Sequence, residues 1–364
     1  MENSFERLIA LLRSSLMGFR ISEQLFASMT EVDWEELFTT AKKQGVAAIA
    51  FDAIEHMQLK IPKTLLLKWF AVSNIIKNNY VVQEKSACKL ADLWAENGIR
   101  TVVMKGIAFA HFYRKPLLRQ CGDADVYLID FKDTSVSGHQ KAYEKGNLIV
   151  EQHGVKVNRD YYKNSSFCFE KLHVENHCFC TQIRGSKRSK NLEILLENLL
   201  LNSKREKIGN YSLEKPCVMF NALFLIEHAR NHFLREGIEL RHVCDWLMFK
   251  KMYQNQLDEV VFAKYCQEYG LTNFLQSMNH LADMIATGDM QYFDENDELL
   301  LNDILSDKTY TSSESFNLKG RLVLVRETFK AVWKYRKFSE ISMLGWLWQS
   351  TWGYFFDRKP NLNG

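Results

Sequence analysis

The stretch 101–129 constrains the fold more than any other part of this 364-residue chain. Its first four residues are β-branched or apolar and predict a buried strand. A turn at Lys105-Gly106 follows, and then a short segment with apolar residues at helical spacing. Pro116 ends that segment, because a proline ring cannot continue a helix. The apolar run 126–129 then predicts a second, neighbouring strand.

Two aspartates, Asp123 and Asp125, stand at the start of this second strand. Residues two apart on a strand point to the same side, so their carboxylates are expected to lie side by side at the edge of a buried sheet. Placing two like charges there is costly unless a cation lies between them, and a divalent metal is the usual solution. The pair therefore predicts a metal site.

These residues resemble the family of uncharacterised nucleotidyltransferases, within the polymerase-beta-like nucleotidyltransferase superfamily. The resemblance rests on the pattern MKG…FY…PLLRQCGDADVYL and extends more weakly into helices on both sides. The chain departs from the superfamily at Lys105-Gly106, where Gly-Ser is usual. The resemblance implies an α+β fold, with a small mixed-sheet nucleotidyltransferase core at 98–203 between helical regions at 1–97 and 204–364.

The resemblance also implies the chemistry, which is transfer of a nucleoside monophosphate from an NTP to a hydroxyl acceptor with Mg²⁺ or Mn²⁺. Asp123 and Asp125 would be metal ligands. Glu175 would be the third catalytic and metal-binding carboxylate, because the resembled family has an acid two residues before a histidine, as in Glu175-Asn176-His177. The alternative is that Glu175 pairs with a lysine across a hairpin.

Four further residues are implied to contact the nucleotide. Lys105 and the backbone of Gly106 are expected to face the triphosphate, although Lys105 could instead pair with an aspartate in the empty protein. Arg119 is positioned in the sequence to neutralise charge on the leaving pyrophosphate. Gly122, directly before the aspartates, is the fourth candidate.

A second group of candidates lies in the C-terminal helices. His228, His232, Arg241 and Asp245 match a His…Leu-Arg…Asp pattern of the resembled family and are candidates to line the active cleft. Equally, Arg241 and Asp245 have the i,i+4 spacing of a helical salt bridge. The two histidines are four apart, as on a zinc protease helix, but Ala229 stands where that motif needs glutamate. A metalloprotease is therefore excluded.

Other segments carry weaker signals. Residues 166–170 and 173–179 alternate in strand fashion and predict a hairpin, and 148–150 predicts a short strand. The basic loop 184–190 is typical of a solvated surface, with contact to a polyanion as the alternative. The segment 319–356 joins a basic amphipathic stretch to an aromatic cluster. We expect it to pack internally, and peripheral membrane contact is the alternative.

Composition argues against several classes of protein. The net charge of +3 is too small to indicate nucleic-acid binding. No pair among the eight cysteines has CxxC spacing, which argues against zinc and disulfide frameworks. No apolar run reaches the roughly 18 residues of a membrane span. With acids in place of a basic signal-peptide region, we expect a reduced, cytoplasmic protein.

Two other functions fit the same core. One is a non-catalytic nucleotide-binding or scaffold protein, and the intact aspartate pair argues against it. The other is a toxin-like transferase that acts on tRNA or protein.

Overall fold

The computed structural model describes residues 2–182, 187–202, 204–208, 212–306, 332–339 and 344–345. Within them the helices are α1 (Glu2–Met17), α2 (Glu31–Lys43), α3 (Ala47–Ile54), α4 (Lys63–Glu96), α5 (Ile107–Ala110), α6 (Val136–Gln152), α7 (Lys187–Asn202), α8 (Val218–Arg235), α9 (Leu240–Tyr253), α10 (Glu259–Glu268), α11 (Thr272–Thr287) and α12 (Glu295–Leu305). A further short helix spans Val332–Phe338, and 3₁₀ turns span Glu23–Phe26 and Pro116–Leu118. In these described ranges no helix is long and apolar enough to cross a membrane.

The strands form one mixed sheet in the spatial order β3-β4-β2-β1-β6-β5. Their bounds are β1 (Ile99–Val103), β2 (Ala124–Asp130), β3 (Asn164–Phe169), β4 (Leu172–His177), β5 (Glu206–Lys207) and β6 (Leu213–Lys215). β1 runs antiparallel to β2 and parallel to β6, while β2 runs parallel to β4. β3 and β4 form the predicted hairpin. The α+β prediction, a small mixed sheet with helical regions on both sides in sequence, is confirmed.

The two faces of the sheet pack against different helices. Val126 and Leu128 of β2 belong to a core shared with α4 and α6. Tyr127 and Ile129 point the other way, into the large core that includes α7, α8 and α9, and the Tyr127 hydroxyl donates a hydrogen bond of 3.1 Å to Glu197 of α7. Since side chains alternate along a strand, the odd-numbered residues of β2 face α7 and α8. This alternation sets where the acidic residues lie.

The predicted short strand at 148–150 is wrong, because these residues continue helix α6. Along α6 the buried residues Ala142, Gly146, Ile149 and Val150 recur at helical spacing and pack on the sheet. The Trp94 indole of α4 also donates a hydrogen bond of 3.1 Å to the Gly146 carbonyl. The apolar run 148–150 alone favours a strand, but the longer segment around it has the helical period.

The sheet extends past the predicted end of the catalytic core. β5 and β6 lie C-terminal to residue 203. β6 pairs with β1 at the centre of the sheet, with Thr101 opposite Leu213. The division of the chain at residues 97 and 203 stays a prediction.

Two weaker predictions fall partly on the described residues. Residues 184–186 lie outside them, and the rest of the basic loop forms the first turn of α7. In the C-terminal segment, the rings of Trp333 and Phe338 contact Phe233 of α8 at centroid distances of 5.8 and 5.2 Å. This part packs internally. The aromatic residues of 341–356 lie outside the described residues.

Candidate functional site

The parallel pairing of β2 and β4 brings two carboxylates together. The register places Asp125 directly opposite Glu175. Facing residues of neighbouring strands point to the same side of a sheet, so both side chains lie on the face that meets α7 and α8. Ser166 lies directly opposite Glu175 across the hairpin, and the charge of Lys163, the residue before β3, also acts on Glu175.

Asp125 is an ionised group in a buried position. Its exposed fraction is 2%. Its Oδ1 accepts a hydrogen bond of 3.1 Å from His177 Nε2, and Lys105 Nζ lies 3.5 Å from Oδ2. Burial alone would raise the pKa of Asp125, but the charge of Lys105 and the hydrogen bond from His177 hold it well below the usual value. Oδ2 accepts no hydrogen bond from any described residue.

His177 joins the two carboxylates. Its side chain is fully buried, and Nε2 also lies 3.4 Å from Glu175 Oε2. The hydrogen bond from His177 lowers the pKa of Glu175, against the effect of burial. One ligand atom each from Asp125, Glu175 and His177 lies within 4.8 Å of the other two. The cluster is compatible with metal binding.

Asp123 is placed differently from Asp125. It precedes the first residue of β2, its side chain is 46% exposed, and it lies 3.1 Å from Nδ1 of His173. It lines the same cavity as Asp125 and Glu175 but is not a member of the tight cluster. The three predicted carboxylates therefore meet at one cavity, with Asp123 in the most exposed position.

This cavity, of about 220 Å³, lies between the sheet and α8. Lys105 and Lys163 line it beside the carboxylates, and His228, His232 and Arg235 of α8 contribute to the opposite wall. Burial lowers the pKa of Lys163, while the charges of Asp125 and Glu175 work against that shift. Basic and acidic groups thus share one small space, as a site for a metal and a polyanion requires.

Gly106 brings the end of β1 close to Asp123. Its φ is +66°, a conformation that side-chain-bearing residues rarely adopt, and it forms the N-terminus of α5. A Cβ atom at this position would lie 2.6 Å from the carbonyl oxygen of Asp123. Gly122 has a different environment, with its carbonyl accepting a hydrogen bond from Gln83 and open space beside its Cα.

Arg119 and Asp245 lie together, and neither is among the residues that line the cavity. Both oxygens of Asp245 accept hydrogen bonds of 2.7 Å from Arg119, and Tyr113 adds a third of the same length. The paired side chains are 2% and 3% exposed. The alternative i,i+4 salt bridge between Arg241 and Asp245 is wrong, because Asp245 holds Arg119 and Arg241 lies 3.4 Å from Glu239.

The two histidines of α8 that line the cavity have different surroundings. The ring of His228 stacks on Phe224 at 5.5 Å, and its buried Nε2 has no hydrogen-bond partner among the described residues. Burial, followed by the charge of Lys105, lowers the pKa of His228 well below the usual value, so this ring is neutral. His232 contacts Glu236 one turn further on.

A buried glutamate supports one cavity wall. The two oxygens of Glu193, on α7, accept hydrogen bonds of 2.7 Å from the backbone amides of Cys180 and Thr181. Burial raises the pKa of Glu193 to about 7, although these two bonds favour the charged form. Because Cys180 and Thr181 line the cavity, this contact shapes the site.

A family model described as uncharacterised nucleotidyltransferase matches residues 30–286. The chain belongs to this family. No curated protein and no solved structure matches the chain. Family membership indicates nucleotidyl transfer as the general activity and a nucleotide as substrate, and the cluster of Asp125, Glu175 and His177 is compatible with a divalent metal.

The sequence patterns predict no role for two residues of the site, His177 and Lys163. His177 had a usable signal, because it lies two positions after Glu175 on a strand and so shares its face. Lys163 had none, since it lies in an irregular stretch before β3. Only the tertiary fold brings Lys163 to the carboxylates.

Proposed function

We propose that this protein transfers a nucleoside monophosphate from an NTP to a hydroxyl acceptor in a reaction that depends on Mg²⁺ or Mn²⁺. The observation that carries the proposal is the in-register pair of Asp125, which is buried, and Glu175, which is partly exposed, at a cavity that two lysines also line. Such a pair of carboxylates beside lysines suits a metal-bound triphosphate.

Asp125 and Glu175 are the residues that would hold the metal, with Asp123 as the third carboxylate. Asp125 suits this role because it is ionised in spite of burial and its Oδ2 accepts no hydrogen bond from the described residues. A bound divalent ion supplies charge neutralisation at the phosphates and lowers the pKa of the acceptor hydroxyl. Asp123, half-exposed beside them, is placed to meet the incoming acceptor or a second ion.

Lys105 and Lys163 are the proposed phosphate contacts. Lys105 lies 3.5 Å from Asp125 and keeps part of its side chain exposed to the cavity. When metal occupies the carboxylates, its ammonium is free to bind a phosphate oxygen as a point charge. Gly106 assists by letting the backbone approach closely. Arg119 and Asp245 are assigned to structural support, because their opposite charges are buried and paired with each other.

The test is to incubate the protein with each of the four NTPs and Mg²⁺ or Mn²⁺ and to identify the products. Attack at the α-phosphorus releases pyrophosphate, whereas a phosphotransferase would give a nucleoside diphosphate. Calorimetry should show NTP binding with the cation and little binding in EDTA, because bare carboxylates repel phosphate. Equal affinity in EDTA, or an NDP product, would refute the proposal.

The matched variants are Asp125→Asn and Asp130→Asn. Both alter an aspartate of β2, but Asp130 lies at the far end of the strand, where its carboxylate accepts backbone hydrogen bonds from Lys132 and Asp133. Only Asp125→Asn should abolish cation-dependent NTP binding. Equal losses in both variants would point to a general effect on the sheet.

A further inference from the structure

The orientation of the His177 ring is fixed by one hydrogen bond. Its Nδ1 lies 3.1 Å from the carbonyl oxygen of Phe179. A carbonyl oxygen only accepts, so Nδ1 carries a hydrogen and donates it. The other ring nitrogen, Nε2, is therefore the one left to bind a proton or a metal ion.

Nε2 points at two carboxylate oxygens. It lies 3.1 Å from Asp125 Oδ1 and 3.4 Å from Glu175 Oε2, and the ring is fully buried. Three electron-rich atoms at this separation need a positive centre among them. An anchored Nδ1–H that leaves Nε2 facing the carboxylates is the arrangement that metal-binding histidines use, because the hydrogen bond of Nδ1 fixes the direction of the ring.

A second observation points to a cation in the same place. Asp125 is 2% exposed, yet its Oδ2 accepts no hydrogen bond from the described residues. Lys105 Nζ, 3.5 Å away, is an ion-pair partner beyond good hydrogen-bond geometry. A buried carboxylate oxygen normally has a partner, and a metal ion would supply one.

We propose that His177 is a metal ligand together with Asp125 and Glu175, and that its nitrogen makes the site favour first-row transition ions over Mg²⁺. The proposal rests on the metal-dependent function proposed above and narrows its cofactor. Mg²⁺ prefers an all-oxygen shell, whereas imidazole strengthens binding of ions such as Co²⁺. The rival is a permanent imidazolium that only pairs with the two carboxylates.

The first measurement uses the wild-type protein, so it does not depend on a variant that folds. Mn²⁺ is bound to protein made with ¹⁵N-labelled histidine and, separately, to unlabelled protein, and pulsed electron paramagnetic resonance detects nuclei bonded to the ion. If the unlabelled protein shows a coupling to ¹⁴N and the labelled protein shows a coupling to ¹⁵N instead, a histidine nitrogen is bonded to the ion. Mn²⁺ bound without any nitrogen coupling would overturn the assignment of His177 and leave metal-dependent transfer standing.

The second measurement compares His177→Gln with His173→Gln. His173 is the matched control because it lies four residues earlier on the same face of β4 and contacts Asp123 at 3.1 Å. The ratio of Co²⁺ to Mg²⁺ affinity, from calorimetry, should fall at least about tenfold in His177→Gln, the scale seen when even an outer partner of a metal ligand is removed. The nitrogen coupling should disappear in the same variant and remain in His173→Gln.

The remaining outcomes separate the two proposals. An unchanged affinity ratio, or a coupling lost only in His173→Gln, would overturn the role of His177 without touching nucleotidyl transfer. Absence of Mn²⁺, Co²⁺ and Mg²⁺ binding, with and without NTP, would overturn both this inference and the proposed metal dependence.

Discussion

The buried pair of Arg119 and Asp245 gives the sharpest test of how the protein is held together. Asp245 receives hydrogen bonds of 2.7 Å from Arg119 Nε, Arg119 Nη2 and the Tyr113 hydroxyl. The pair links the segment before β2 to α9, across 126 positions of sequence. Arg119→Met removes two of the three bonds and leaves a buried carboxylate with only Tyr113.

The expected cost follows from burial. Removing one partner of a buried ion pair costs about 3–5 kcal/mol, because the remaining charge cannot reach water. We expect Arg119→Met to fall near the lower end, about 3 kcal/mol, since Tyr113 still donates to Asp245. The double variant Arg119→Met with Asp245→Leu removes both charges. It should cost less than either single change, leaving mainly the unpaired Tyr113 hydroxyl, which costs about 1–3 kcal/mol.

The assay is chemical denaturation followed by tryptophan fluorescence, with Arg241→Met as control. Arg241 lies in the first turn of α9, the helix that carries Asp245. Its side chain is 19% exposed and lies 3.4 Å from Glu239, so Arg241→Met should lower the stability by less than about 1 kcal/mol. The double variant should also keep NTP affinity. The structural role would be refuted if Arg119→Met unfolded at the same denaturant concentration as the wild type. It would also be refuted if the loss of stability in the double variant equalled the sum of the losses in the two single variants. A selective loss of NTP affinity in the stable double variant would return Arg119 to the nucleotide site.

Three more changes test the site. Gly106→Ala should destabilise the protein by about 1–3 kcal/mol and weaken metal-dependent NTP binding, because the new Cβ would collide with the Asp123 carbonyl. Lys105→Ala should raise the KM for NTP by about 10–100-fold with metal affinity almost unchanged, the effect of losing one charged hydrogen bond of about 1.5–3 kcal/mol. Glu193→Gln should remove a pH dependence of stability. The pKa of Glu193 is about 7 in the folded protein against 4.5 in the unfolded chain, so protonation of this carboxyl stabilises the folded state. This stabilisation, about 3 kcal/mol, is fully present below pH 4.5 and is lost as the pH rises through 7.

The changes at Gly106 and Lys105 each have a control variant. Gly154 also has a positive φ, +80° against +66° at Gly106, but a Cβ there would meet open space, so Gly154→Ala tests backbone strain without the collision. Lys141→Ala removes an exposed lysine 4.0 Å from Asp133 and should leave KM unchanged. If Lys105→Ala bound metal more tightly and kept the wild-type KM for NTP, Lys105 would serve only to neutralise the charge of Asp125. For Glu193, parallel stability–pH curves for variant and wild type would contradict the argument.

The sequence by itself determined the local elements and the face on which the acids lie. The break at Lys105-Gly106, the two strands of 101–129 and the hairpin follow from contacts between near neighbours, whose period of two is visible in the chain. The same period places Asp123 and Asp125 on one face. Where the run was too short to show its period, at 148–150, the sequence prediction failed.

The tertiary structure decided the partners. The register that sets Asp125 beside Glu175, the approach of Lys163, and the choice of Arg119 rather than Arg241 for Asp245 all join residues tens of positions apart. Such pairings depend on strand order and on which surfaces are desolvated together, and neither leaves a periodic signal. For the same reason the aspartates, alike in sequence, differ in the fold: Asp125 is buried against His177, and Asp123 is half-exposed beside His173.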